Sequence, residues 1–272
     1  MCLNVKKTKF INFNRLSTSP NIELHINNIK LERVENFNFL GLLINERLDW
    51  SPHVRVISKK LSRAIGIMSR LKSFIPKQVM KTIYYAIFHP HINYHILAWG
   101  SKSDHLFLLQ KKAIRIMNNE HFLQHTDPLF KQSNILKTHH LYELAQVKFY
   151  YKHLSNQLPP YLQSIPFLRN NSYHSYDTRT SDNLRPPNTK TDYSRTTIRN
   201  NIPNLINTLS PQISFQNDAI SSLSNEFKKV TIMSYSNVCT DTECWACDRV
   251  ASGRSVCGAE PHTVAAAAAA GL

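Results

Sequence analysis

The chain has 272 residues, with 33 Lys and Arg against 18 Asp and Glu, a net charge of +15 and a pI near 9.7. That length buries a real core in one large or two small domains, and 42% hydrophobic residues exclude a wholly disordered chain. No run reaches the ~18 apolar residues of a membrane span, and so positive a charge points to a polyanionic partner, most often nucleic acid.

Residues 3–45 read as β. LNVKKTKFINF alternates apolar and polar residues, and NIELHI and IKLERV flank Asn27-Asn28, a two-residue hairpin turn. NFNFLGLLIN forms a third run, with Gly41 inside it marking a bulge or close packing. From Asp49 the pattern turns helical. One helix starts at Ser51-Pro52, an N-cap followed by Pro at the first helical position. A second begins near Pro76 and is interrupted at Pro90. A third opens at Ser103-Asp104, and a fourth covers residues 138–154 with Leu141, Leu144, Ala145, Phe149 and Tyr150 at helical spacing. Between 169 and 217 the composition shifts to Asn, Ser, Thr, Arg and Pro, which predicts a long irregular stretch with a short helix over 196–209. Helical period returns over 218–233. After about Val250, late glycines and the alanine run 265–270 predict disorder or non-native sequence.

The charge is concentrated. Residues 51–117 hold twelve Lys and Arg against one acid, Asp104, and so carry +11 of the +15. On a helix over 54–75, Val54, Ile57, Leu61, Ala64, Ile65, Met68, Leu71 and Ile75 fall within roughly 160–280° of Arg55. Arg55, Lys59, Arg63 and Arg70 fall within roughly 0–80°, with Gly66 among them at about 20°. Lys72, Val56 and Ile67 break the pattern. An ordinary solvated face mixes both signs at i,i+4. This one has no acids, and Gly66 lowers helix propensity where close approach of another backbone would explain it. Phosphate binding is therefore expected along Arg55, Lys59, Lys60, Arg63 and Arg70, continuing to Lys77 and Lys81.

Motifs for other chemistry are scarce. No two acids are adjacent, so the two-metal carboxylate pair of nucleotidyl transfer is missing as a local motif. GxxxxGK[ST], GxSxG and HExxH are all absent. His89, His91 and His95 sit among aromatic residues and Pro, which favours packing or surface placement over metal binding. Cys239, Cys244, Cys247 and Cys257 contain one C-x2-C half with the bite zinc needs and one irregular half, so a zinc site and unpaired reduced thiols both stand. Five cysteines and no signal-peptide core predict an intracellular chain, cytoplasmic or nuclear.

The motifs in order resemble the reverse transcriptases of non-LTR, jockey-like retrotransposons. LNVKKTKFINF is similar to the strand after their catalytic loop, with Leu3-Asn4 and Lys7-Thr8 standing for Leu-x-x-Asn-x-x-Lys-Thr. FNFLGLLINERLDWSPHV resembles the primer-gripping hairpin, with Phe39-Leu40-Gly41 for Tyr-Leu-Gly and Leu48, Trp50 and His53 following in order. INYHILAWG and LLQKKAIRIM resemble the thumb and its connection. YELAQVKFYYKHLSNQLPPYL and the segment from YDTRTSDNLRPP to IPNLINTL resemble the C-terminal region. The resemblance covers most of residues 3–235. It departs from the family in two places: the palm aspartates that precede Leu3 are missing, and Trp-Asn-x-Leu-Pro is degraded to IPNLINTLSP.

The resemblance implies an α+β fold, a small antiparallel β remnant of a palm followed by a mainly α-helical thumb and C-terminal region. The expected divisions are 1–48 (palm remnant), 49–120 (basic thumb), 121–168 (helical connection), 169–217 (polar irregular segment), 218–237 (C-terminal helix) and 238–272 (tail). The family performs RNA-directed DNA synthesis with Mg²⁺. Lys7 matches the family lysine that assists pyrophosphate release, but without carboxylates and metals it has nothing to protonate. What remains is a truncated polymerase that keeps sequence-independent binding of RNA, DNA or their hybrid, needs no cofactor for it, and has an intact element-encoded polymerase as a further partner. Two other readings fit: a helical interaction module whose basic face meets an acidic protein, and a non-functional relic whose orphaned strand edges aggregate. Primer extension on an RNA template with Mg²⁺ or Mn²⁺ should give background incorporation only. A template-dependent product abolished by Lys7→Ala would show that the chain polymerises.

Overall fold

A computed structural model of the protein, which describes residues 4–14, 22–173, 178–210, 212–213 and 219–235, has an α+β fold in which short strands precede a helical body. Among the described residues the strands form three separate two-stranded sheets. β1 (Lys9–Phe10) pairs with β4 (Glu32–Arg33), β2 (His25–Ile26) with β3 (Ile29–Lys30), and β5 (Asn36–Phe39) with β6 (Leu42–Asn45). The turn expected at Asn27-Asn28 is present, with both residues at left-handed φ (49° and 59°), which Asn tolerates in a two-residue hairpin.

The strand region departs from expectation in two ways. No single antiparallel sheet spans it: β1 and β4 are parallel, and a 3-10 turn at Val5–Lys7 replaces the start of the first strand. NFNFLGLLIN is a hairpin, with Leu40 (φ 47°) and Gly41 (φ 84°) as its two-residue turn. A two-residue turn preserves the period of two, so alternation alone cannot separate one strand from two.

The helices are α1 (Ser51–Leu71), α2 (Lys77–Ile83), α3 (His89–Asn93), α4 (Ile96–Trp99), α5 (Asp104–Asn118), α6 (Asp127–Ser133), α7 (Thr138–Leu154), α8 (Pro160–Gln163), α9 (Asp192–Thr196), α10 (Ile198–Leu209) and α11 (Ile220–Met233). The cap of α1 is Trp50 (φ 62°), not Ser51, so Pro52 is its second residue. Asp49 Oδ1 accepts the Ser51 N–H at 3.0 Å, satisfying one of the helix's orphan donors, and also accepts from Asn45 Nδ2 at 2.9 Å. The helix stops at Leu71, short of Ile75, because Pro76 disfavours helical backbone in the residue before it. The break expected at Pro90 takes the form of a π turn, Tyr84–Phe88, between α2 and α3. There the His89 N–H reaches back five residues to the Tyr84 carbonyl, and the coil continues to Asn93 without parting.

Ile57, Leu61, Ala64, Ile65 and Met68 of α1 are buried in one core with Leu106, Ala113, Ile114 and Met117 of α5 and with Tyr84 and Phe88 of the π turn. α7 runs against α4, α5, α10 and α11. Gly100 sits so close to it that a Cβ would lie 2.4 Å from Tyr142 Cδ2, so the turn before α5 requires glycine. The buried Gln110 amide is fully used: Nε2 donates to Tyr84 Oη (3.0 Å) and Leu136 O (2.9 Å), and Oε1 accepts from the Thr138 N–H and hydroxyl (2.8 Å each). The described residues of the 169–217 stretch hold α9 and α10, and the segment before them is irregular but pinned. Leu184 is buried, its N–H and carbonyl both bonded to Asn207 at 2.8 Å, and Ile202 and Ile206 of α10 join the core. No helix of the described residues is long and apolar enough to cross a membrane.

Burial pushes the Glu143 carboxyl on α7 up to about 7. The unfolded chain ionises this group near 4.5, so the native state loses stability as pH rises from there to about 7 and recovers none of it above. Glu143→Gln should therefore raise stability at pH 8 by on the order of 1–3 kcal/mol and leave it nearly unchanged at pH 4, as measured by urea unfolding at the two pH values.

Candidate nucleic-acid interface

With its apolar ridge in the core, α1 presents its other side to solvent. Arg55, Lys59, Lys60, Arg63 and Arg70 are all exposed, as the sequence pattern requires. Arg55 to Arg70 spans fifteen residues, about 22 Å at 1.5 Å per residue, a length that follows several successive phosphates of one strand. The ion pairs of the described residues lie elsewhere: Lys9–Glu32, Lys30–Glu23, Arg33–Glu46, Lys137–Asp127 and Arg169–Asp182. The side chains of Arg55, Lys59, Arg63 and Arg70 make no hydrogen bond or ion pair among the described residues. Their charge is available to a partner.

The remaining cations differ in setting. The Lys60 charge acts on His53 and His91, helping burial to hold both imidazoles below their ordinary range. Lys77 is exposed at the start of α2. Lys81 is half-buried and near Lys228 of α11, whose ammonium is lowered first by its own burial and then by Lys81. The continuous stripe is thus α1's own, and Lys81 belongs to the α2–α11 side.

Gly66 stands among the exposed cations, and an added Cβ would have no atom within 4 Å. None of the described residues comes close to it, so no internal contact among them accounts for this glycine. Glycine is not needed for folding here.

The hairpin β5–β6 packs on the N-terminal part of α1. His53 joins them: its Nδ1 accepts the Leu43 N–H at 3.2 Å, and its ring meets Trp99 edge-on. Phe39 and Leu40 at the hairpin tip are 54% and 71% exposed. The tip is nevertheless fixed, because Tyr94 donates its hydroxyl to the Leu40 carbonyl at 2.7 Å. At Gly41 a Cβ would come within 3.2 Å of Tyr94 Cε1, so positive φ and space both favour glycine. Lys7 is exposed on its own 3-10 turn ahead of β1, which pairs with β4 and not with the hairpin of Phe39.

Among the histidines, His89 is half-buried against the rings of Tyr84 and Tyr85, while His95 is exposed. His140 Nδ1 meets the Tyr235 hydroxyl at 2.7 Å. Burial, with His139 and Lys137 beside it, pushes His140 down to about 2 and keeps it neutral. No group of three or more His, Cys, Asp or Glu among the described residues is placed to hold a metal. Cys239, Cys244, Cys247 and Cys257 lie outside the described residues. Sequence reasoning passed over Lys102 as an individual site. It lines two hollows beside α1, a tertiary placement that no local spacing reveals.

No family model, no curated protein and no solved structure matches the chain.

Because nothing crowds Gly66, Gly66→Ala should stabilise the protein by about 0.5–1 kcal/mol through helix propensity alone. A chemical-denaturation midpoint that falls instead would show that the helix needs glycine at this position.

Proposed function

We propose that the chain binds RNA, DNA or their hybrid without sequence preference along the exposed face of α1, as the C-terminal part of a non-LTR retrotransposon reverse transcriptase. One observation carries the binding: four cations at successive intervals of four, four and seven residues share an exposed helix face with no acidic partner among the described residues. The polymerase origin is supported by the order of the sequence motifs. A hairpin at FNFLGLLIN leading directly into a long basic helix is also what the primer-gripping hairpin and thumb require. A nucleic-acid partner and an odd number of cysteines support an intracellular reading, cytoplasmic or nuclear.

Point charges on phosphates read no bases, so affinity should hardly vary with sequence. Each contact contributes a slope of about −0.7 to −0.9 in log K against log salt. With three or four contacts, α1 should supply roughly −2 to −4, and Arg63→Ala should flatten the total by about one unit. The same change leaves the apolar ridge intact and should shift stability by no more than about 0.5 kcal/mol. A salt series on a hybrid duplex and on heparin, with wild type and the alanine variants of Arg55, Lys59, Arg63 and Arg70, measures this. Wild-type slopes from all four variants on the duplex would remove α1 as the binding face. Equal preference for heparin, or full displacement by an acidic peptide, would favour a protein-interaction module.

A further inference from the structure

Beside the α1 face lies a groove of about 730 Å³, built from residues 48–50, α4 and the turn after it, α8, and the α9–α10 junction. It is lined with rings: Trp50, His95, Tyr161 and Tyr193 all contribute, and Tyr161 is 73% exposed. Four described residues other than glycine and asparagine have left-handed φ, and one of them, Leu40, belongs to a hairpin turn. The other three, Leu48 (φ 53°), Trp50 (φ 62°) and His95 (φ 51°), all line this groove. Such backbone costs of order 1 kcal/mol per residue and persists only where the surroundings over-determine it, which is typical of ligand sites.

Lys102 lines the groove and also a neighbouring hollow of about 440 Å³, whose wall includes Arg55, the first cation of the α1 stripe. A cationic path therefore runs from the stripe through Lys102 into a ring-lined slot. Among the described residues one acid lines each space. Asp49 Oδ1 is committed to the Ser51 N–H and Asn45, and Asp104 stands at the first turn of α5.

We infer that this groove takes an unpaired nucleotide tail of the nucleic acid whose phosphates lie on α1. The inference rests on α1 as the phosphate-binding face. Within a duplex neighbouring bases cover each π-face, whereas an unpaired base can offer its faces to aromatic side chains. An apolar peptide would have no use for the row of cations that leads in.

The test compares a blunt hybrid duplex with the same duplex carrying a three-nucleotide overhang, and with one whose overhang is abasic. Wild type should bind the base-bearing overhang about fivefold or more tightly than the blunt duplex, while the abasic overhang should recover little of that gain. Tyr161→Ala, at a largely exposed ring, should lose the gain and keep blunt-duplex affinity. 2-Aminopurine at the first unpaired position should be quenched by wild type and much less by the variant. Equal affinity for blunt and overhanging duplexes would overturn the groove assignment while leaving α1 intact. So would equal gain from the abasic tail, or a gain kept in both Tyr161→Ala and Tyr193→Ala. Failure to bind the blunt duplex at all, with the α1 variants silent, would overturn both.

Discussion

Everything on the exposed side of this molecule follows from how α1 is wedged into the core. Leu61 and Met68 are fully buried, with Ile57, Ala64 and Ile65 beside them, in the core shared with α5 and the π turn. Each such side chain contributes about 1.5–3 kcal/mol by leaving water. Rolling the helix by one residue, about 100°, would expose part of that ridge and drive charged groups inward, where unpaired charge is far more costly. The rotational setting of α1 is therefore over-determined, and outward display of Arg55, Lys59, Arg63 and Arg70 is a consequence of core packing. Core packing does not explain why the displayed face lacks acids. A partner does.

The rest of the helical body is specified by buried polar groups as much as by apolar ones. Gln110 joins the π turn, α5 and the start of α7 through four hydrogen bonds, and leaving any of those partners unpaired would cost about 1–3 kcal/mol. At the other side of α7, Lys137 Nζ and Asp127 form a buried ion pair at 2.8 Å, with the ammonium 4.6 Å from the centre of the Tyr235 ring. The Tyr235 hydroxyl accepts the Lys137 N–H at 3.1 Å and shares a 2.7 Å hydrogen bond with His140 Nδ1. Burial, with His139 and Lys137 beside it, favours the neutral His140 at that contact. Tyr235, two residues beyond α11, is thereby locked to the α6–α7 junction, ninety-eight positions away in sequence.

The sequence revealed those parts whose structure follows from their own residues. α5 and α7 begin and run where capping and spacing place them, and α1 misses only at its ends. The Asn27-Asn28 turn was legible because the two asparagines suit its φ values. What was missed is either short or tertiary. α6 has seven residues, too few to display a period, although Thr126 and Pro128 stand at its start. The π turn before Pro90 and the packing of Leu184 against α10 depend on neighbours distant in sequence. The ring-lined groove draws on residues from 48 to 198, and no window contains it.

The hairpin, the start of α1 and the groove form one mechanical unit, and Tyr94 is where they meet. Its hydroxyl holds the Leu40 carbonyl at the hairpin tip, and its own carbonyl accepts the Trp99 indole N–H at 3.0 Å. The next residue, His95, is one of the left-handed positions in the groove wall. On the other side, His53 accepts from Leu43 and meets Trp99, so the same indole braces hairpin and helix together. Tyr94 and His53 thus brace the segments that flank the left-handed residues Leu48, Trp50 and His95. The cations of α1, by contrast, sit on an unstrained helix that needs no such support. The acid-free stripe lies on a regular helix and the left-handed backbone at the aromatic groove, the division that the proposed holding of phosphates by spacing and bases by shape would use.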